Sequence, residues 1–397
     1  MAKSKDRLRI LYVLDFFHPH IGGVPTVFKN LCREVANLGH EVTVVTSREA
    51  DSEPLETWNG IKIHRFGRTR EQFLVGASAY LMSNKDRYDI VHTCTYSAMI
   101  PSFLFSTTTR TPSVISVFEV WSLKEWVEFA SHRGPFYFLE ERTLFSLPFD
   151  KYIIAAEHTR RDLKEIIGVP DSKMEKIMPG IDSSIFSPKA KKERKGFRKN
   201  YGIGEDEVIG CFVGKATVFK GIDYMLDGLE AALKKSKNKF RFVFLLSRSH
   251  ESGYKRFIKR VHESDVLTNG IILAEPSADH SFASKLIAAS DFLVMPSLTE
   301  GFGLAAAESI SIGTPVVVTR GTCLEEIVEE GKNAILVRQR SGEDIERALL
   351  KLANDRTLRR RMSKPKKFSE WSKVAAEHVK SYRETIEKRK GREYTSR

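Results

Sequence analysis

Apolar residues fall along this chain in short unbroken runs, separated by longer stretches where they recur every three or four positions. The first runs are Ile10–Leu14, Glu41–Thr46, Ile61–Phe66, Asp89–Cys94, Val114–Phe118 and Tyr152–Ala155. Their length and continuity predict strands buried on both faces. Val24–Leu38 and Glu157–Ile167 carry helical spacing between them. Such alternation predicts a parallel sheet with helices on both sides. Pro179-Gly180-Ile181-Asp182 and Pro188 then interrupt the pattern, and Lys189–Lys199 sets seven basic residues against Glu193. The alternation restarts at Val208–Val213, Arg241–Leu246, Ile271–Ala274, Asp291–Met295, Pro315–Thr319 and Ala334–Val337. From Gly342 the pattern is helical, and Phe368–Lys388 is amphipathic, with Trp371, Val374, Val379, Tyr382 and Ile386 as its apolar positions. The expectation is an α/β protein of two doubly wound domains with a boundary at 183–195. The domains are 1–185 and 186–370, followed at 371–397 by a C-terminal helix with a basic tail. Open parallel sheets bind ligands at the carboxyl ends of their strands, so two facing domains predict a ligand in a cleft.

Composition agrees with this. A chain of 397 residues is long for one core, and 41% hydrophobic residues suit a folded protein. Charge adds more: Lys and Arg number 64 against 51 Asp and Glu, a net +13. That predicts an anionic partner. No helix-turn-helix or RNP pattern accompanies the charge, so nucleic acid is excluded and phosphorylated substrates or an anionic membrane surface remain. Cys32, Cys94, Cys211 and Cys323 lack metal-ligand spacing and read as reduced, mostly buried thiols of a cytoplasmic protein. Glutamine occurs only at Gln72 and Gln339, a composition of thermophilic type. Asp15 interrupts the first apolar run, which reads as a strand and not as a leader. An aromatic tract runs from Phe118 through Trp121, Trp126, Phe129, Phe136, Tyr137, Phe138 and Phe145 to Phe149, interleaved with Lys124, His132, Arg133 and Arg142. It fits core packing, or contact with a membrane interface or a lipid-borne acceptor.

Candidate chemistry gathers where the strands end. Glu300-Gly-Phe-Gly-Leu-Ala-Ala-Ala-Glu308 follows one apolar run and opens a helix. Gly301, Phe302 and Gly303 make a turn that lets backbone approach a ligand, and the unpaired N–H groups of a helix start attract phosphate. Carboxylates beside a phosphate would repel it, so Glu300 and Glu308 suit a sugar and a ribose; two surface glutamates are the plain alternative. His18-Pro-His-Ile-Gly-Gly-Val24 is a second such turn, opened by Gly22 and Gly23. The missing third glycine argues against a nicotinamide oxidoreductase. His18 and His20 lack the further ligands a metal needs. Val213-Gly-Lys-Ala-Thr-Val-Phe-Lys-Gly221 fails P-loop spacing. It still places Lys215 and Lys220 where ammonium groups would neutralise a departing diphosphate, unless they are simply solvated. No Asp-x-Asp triplet occurs, so no metal is expected; no other cofactor is expected either.

These residues also carry a resemblance. Pro296–Glu308, Gly313-Thr-Pro-Val-Val317, Glu326-Ile-Val328, the Gly22-Gly23 loop, Gly39-His40-Glu-Val-Thr-Val44 and Pro179-Gly-Ile-Asp182 resemble the landmarks of GT-B glycosyltransferases of family 4, in order and to about Trp371. The resemblance implies two Rossmann-like domains facing a cleft, with the C-terminal helix crossing back to the N-terminal domain. It implies metal-independent, retaining transfer from a nucleotide-diphospho-sugar, UDP- or GDP-linked, to a glycan or lipid-linked acceptor. The donor would sit mainly on the C-terminal domain and the acceptor on the N-terminal one. Glu308 would hold the ribose hydroxyls, and Glu300, with Gly301 and the backbone of Phe302–Leu304, would face the donor sugar. Lys215 and Lys220 would hold the diphosphate, and Gly22 and Gly23 would close over it. Two departures stand out. Lys215 replaces the usual Arg, keeping charge but losing the fork. Phe118-Glu119 stands where many members have His, leaving Glu119 as a catalytic candidate. The base is expected to be read after Ile271–Ala274, at Glu275-Pro276-Ser277. Other readings are a sugar phosphorylase or epimerase, or a non-catalytic nucleotide-sugar-binding subunit. A cytoplasmic enzyme, peripheral on the inner membrane face, fits the charge.

Overall fold

The computed structural model describes residues 7–395 except 51, 86, 95, 248–249 and 276–279. The chain divides into two compact units, Met1–Gly180 with Ser369–Arg397, and Ile181–Phe368.

The first unit holds β1 (Arg9–Leu14), β2 (Glu41–Ser47), β3 (Leu55–Trp58), β4 (Ile61–Phe66), β5 (Ile90–Cys94), β6 (Ser113–Val117), β7 (Lys151–Ile154) and β8 (Met174–Lys176). Their order is β3-β4-β2-β1-β5-β6-β7-β8, parallel throughout except for the antiparallel β3–β4 pair. In the centre, β1 pairs with β2 from Arg9↔Glu41 to Leu14↔Thr46. Apolar runs predicted six of these strands. They did not reveal β3, an edge strand exposed at alternate positions, or β8, three residues with one buried side chain. The second unit holds β9 (Val208–Lys215), β10 (Phe240–Ser247), β11 (Ile271–Ala274), β12 (Phe292–Met295), β13 (Val316–Thr319) and β14 (Ala334–Val337). It is parallel throughout, in the order β11-β10-β9-β12-β13-β14.

Helices cover these sheets with one apolar face each. Gly23–Asn37 buries Val27, Phe28, Leu31, Cys32 and Val35, and Ile222–Lys235 buries Met225, Leu226, Leu229 and Ala232. Glu157–Asp162 is helical and continues as a π-turn, Leu163–Ile167, to Gly168. The C-terminal helix Trp371–Thr395 packs in the first unit on Gly23–Asn37, burying Trp371, Val374, His378 and Tyr382; the last two residues of the basic tail, 396–397, lie outside the described residues.

A buried polar chain ties this helix to the sheet. The Tyr12 and Tyr382 hydroxyls stand 3.0 Å apart, the Tyr382 hydroxyl is 2.6 Å from His92 Nδ1, and His92 Nε2 is 2.9 Å from Ser116 Oγ. Burial holds both His92 and His378 below the ordinary histidine range, His378 at about 4. All four cysteines are free and buried. Among the described residues no helix is long and apolar enough to cross a membrane.

Candidate active site

In the second unit the loops leaving β9, β12, β13 and β14 converge. The β9 loop turns through Val218–Lys220 and enters the Ile222–Lys235 helix at Gly221. Gly221 has φ 65°, and a Cβ there would sit 2.1 Å from the Pro296 carbonyl oxygen, so only glycine lets this loop lie on the β12 loop. The Leu298 N–H donates to the Phe219 carbonyl at 2.7 Å. From the other side the Thr319 hydroxyl donates to the Ser297 carbonyl, the Cys323 thiol to that of Glu300 at 2.7 Å, and the Gln339 amide to that of Leu298 at 3.1 Å. Pattern reading passed over Thr319, Cys323 and Gln339; the one signal they offer is position, at or just beyond the carboxyl ends of strands.

This clamping sets the Lys220 ammonium in an ion pair with the Glu300 carboxylate, both mostly buried. Burial, and then the charge of Lys220, lowers the affinity of Lys215 for its proton. The loop then reaches Gly303, at φ 88° and ψ 53°, which starts the helix Leu304–Ile312. A Cβ on Gly303 would lie 2.2 Å from Leu324 Cδ2. No side chain caps this helix, so its first-turn N–H groups are left for a ligand or water. Glu308 lies just over one turn further on. Part of its side chain reaches the surface, yet burial lifts its carboxyl to about 8. The unit thus carries two ammonium groups, an uncapped helix start and two carboxyl groups, which can meet a phosphate and hydroxyl groups. The loop expected to read the base is described only at Glu275, since 276–279 lie outside the described residues.

In the first unit, Gly22 is extended (φ 174°) and Gly23 begins the Gly23–Asn37 helix. A Cβ on Gly23 would meet nothing within 4 Å, so the helix start faces open space. Asp15, which pattern reading treated only as an interruption, closes β1. Its carboxylate accepts the N–H groups of Ser97 (3.2 Å) and Ala98 (2.9 Å), and burial pushes it up to about 7. An acid directly after a strand's last apolar residue was the available signal. Phe118 lines an apolar hollow with Val27, Leu31 and Trp371, which accounts for an aromatic ring at that position. Glu119 accepts a hydrogen bond from Trp121 Nε1 at 2.6 Å. Gly22 and Gly23 follow β1 and Glu119 follows β6, with β5 between them in the sheet.

Residues 193–367 match the family described as Glycosyl transferases group 1, and residues 21–185 match Glycosyltransferase Family 4. An uncharacterized glycosyltransferase of Methanocaldococcus jannaschii is 24% identical over 404 residues, covering 96% of this chain and 99% of its own. The D-inositol 3-phosphate glycosyltransferase of Corynebacterium urealyticum is 23% identical over 393 residues, 91% of this chain and 90% of its own. The structure of Anabaena HepE in complex with UDP and glucose superposes with a TM-score of 0.73 at 15% identity, covering 96% of this chain and 99% of that one. Two parallel-sheet α/β units of this kind define the GT-B class. The chain belongs to the GT-B glycosyltransferases of family 4 and is an enzyme that transfers glycosyl groups. Glycosyl transfer thereby takes the place of the epimerase and of the non-catalytic subunit among the readings left open by the sequence.

Proposed function

We propose that this enzyme moves a sugar from a UDP- or GDP-linked donor to a glycan or lipid-linked acceptor, with retention and without a metal. The observation that carries the reading is the Lys220–Glu300 pair beside Lys215 and the uncapped helix start at Gly303. A diphosphate drawn to the lysines and to the Leu304 helix start separates that pair. Lys220 then neutralises phosphate, and Glu300, with Gly301 and the backbone of Phe302–Leu304, turns to the sugar hydroxyls. Glu308 accepts the ribose hydroxyls. The bond from the anomeric carbon to phosphate oxygen breaks, and the acceptor oxygen bonds to that carbon on the same face. The acceptor proton passes to the departing phosphate, so no separate base is required. Gly22 and Gly23, at the start of the first unit's Gly23–Asn37 helix, are proposed to serve the donor, and Glu119 the acceptor. One structural neighbour supports the donor class: Anabaena HepE is seen with UDP and glucose. The net charge of +13 supports work at an anionic membrane surface, which we place on the cytoplasmic side.

A thermal-shift series over UDP, GDP and ADP, followed by incubation of the matching nucleotide-sugar with acceptors, tests this. Stabilisation by one nucleoside diphosphate and an NMR coupling showing the donor's anomeric configuration in the product are expected. An inverted product, or turnover abolished by a chelator, would overturn the mechanism.

A further inference from the structure

The aromatic tract divides by burial. Trp126, Phe145 and Phe149 join the core of the first unit, while Leu123 (45% exposed), Val127 (43%), Phe129 (47%), Phe136 (66%) and Leu139 (64%) stand at the surface of the helices Leu123–Ala130 and Gly134–Phe145. Five large exposed apolar side chains within 17 residues are far denser than the scatter of single ones elsewhere on a soluble surface. The two helices are fixed together: a Cβ on Gly134 would lie 2.6 Å from Val127 Cα, so the second helix starts against the first. Three of their four acids have defined partners. Glu125 closes a capping box with Ser122, Glu140 pairs with Arg70, and Glu141 pairs with Arg142. Lys124, His132 and Arg133 are exposed and form no ion pair among the described residues.

We propose that this face docks in the interface of an anionic lipid bilayer, the apolar side chains entering among the acyl chains and the three basic residues meeting lipid phosphates. The inference rests on the reading that the acceptor is lipid-borne and names the surface that would meet it. Exposed apolar side chains beside exposed basic ones match the chemistry of an anionic interface, and the net charge of +13 favours approach to it.

The test is co-sedimentation of the full chain with phosphatidylcholine vesicles, with and without phosphatidylglycerol. Binding is expected with phosphatidylglycerol at low salt, weakening as salt is added. Phe136→Ser with Leu139→Ser should lower affinity at least about tenfold, and Lys124→Glu with Arg133→Glu should abolish the preference for phosphatidylglycerol. Unchanged vesicle binding by the apolar double variant overturns the proposal. So does wild-type protein that stays in the supernatant, or a wild-type dimer that the same variant dissociates. The UDP and GDP thermal shifts are recorded on the same samples. A retained shift without vesicle binding removes this surface and leaves the donor reading intact; vesicle binding without any nucleotide shift does the reverse.

Discussion

Glu308 combines position with an unusual proton affinity. Its carboxyl is held near 8 by burial, so at neutral pH most molecules carry it protonated in the free enzyme. In the proposed contact, two ribose hydroxyls donating to it would favour the carboxylate, and nucleotide binding would release a proton. Affinity should therefore rise as pH increases from 6 and level off above about 8, and Glu308→Gln should weaken binding about tenfold to a hundredfold and flatten that profile. Calorimetry in buffers of different ionisation enthalpy reads both; a flat wild-type profile would remove Glu308 from the ribose. Lys220→Ala should raise the donor KM and, by leaving the mostly buried Glu300 without its ion pair, lower Tm as well. Normal donor kinetics in that variant would count against the diphosphate role. The glutamates and lysines were legible as residues at strand ends. Their pairing was not, because sequence spacing says nothing of Gly221 pressing one loop onto another.

At the scale of elements, the glycine turn is the part that sequence foresaw and geometry explains. Gly303 must hold φ 88° with Leu324 where a Cβ would go, and both demands exclude a side chain. Gly303→Ala should cost about 2–4 kcal/mol from left-handed strain and overpacking, seen as a lower Tm, and should tilt the helix start enough to weaken nucleotide binding. A variant with wild-type Tm and affinity would show that the turn relaxes freely. Central strands were readable because burial on both faces leaves continuous apolar runs. β3 and β8 were not: an edge strand needs no such run, and β8 makes its place through backbone pairing of Met-Glu-Lys to β7. The bonds from Thr319, Cys323 and Gln339 that hold the β12 loop are likewise tertiary and leave no periodic trace.

For the whole molecule, the chain closes its first unit with its last helix, and the residues that seal it titrate. His378 packs beside His92, with Glu175 and Tyr382 as its other polar neighbours, and its Nδ1–H donates to the Val374 carbonyl at 2.9 Å. Its folded pKa of about 4 lies below an unfolded value of about 6.5. Above pH 6.5 both states are neutral and the stabilisation is complete. As pH falls towards 4 the unfolded chain takes up a proton that the folded chain refuses, and stability drops by about 3 kcal/mol from this residue, with His92 adding in the same direction. The raised carboxyl of Asp15 acts oppositely, losing stability as pH rises towards 7, so total stability is a poor readout. The difference between wild type and His378→Leu cancels the shared groups and isolates the histidine. All four tryptophans, Trp58, Trp121, Trp126 and Trp371, lie in the first unit, so urea unfolding followed by tryptophan fluorescence reports that unit alone. The stability of wild type relative to the variant should fall by about 3 kcal/mol between pH 7 and pH 4. Parallel pH profiles would mean that the histidine does not titrate as a buried group, and that the C-terminal helix is held by apolar packing at Trp371, Val374 and Tyr382 without it.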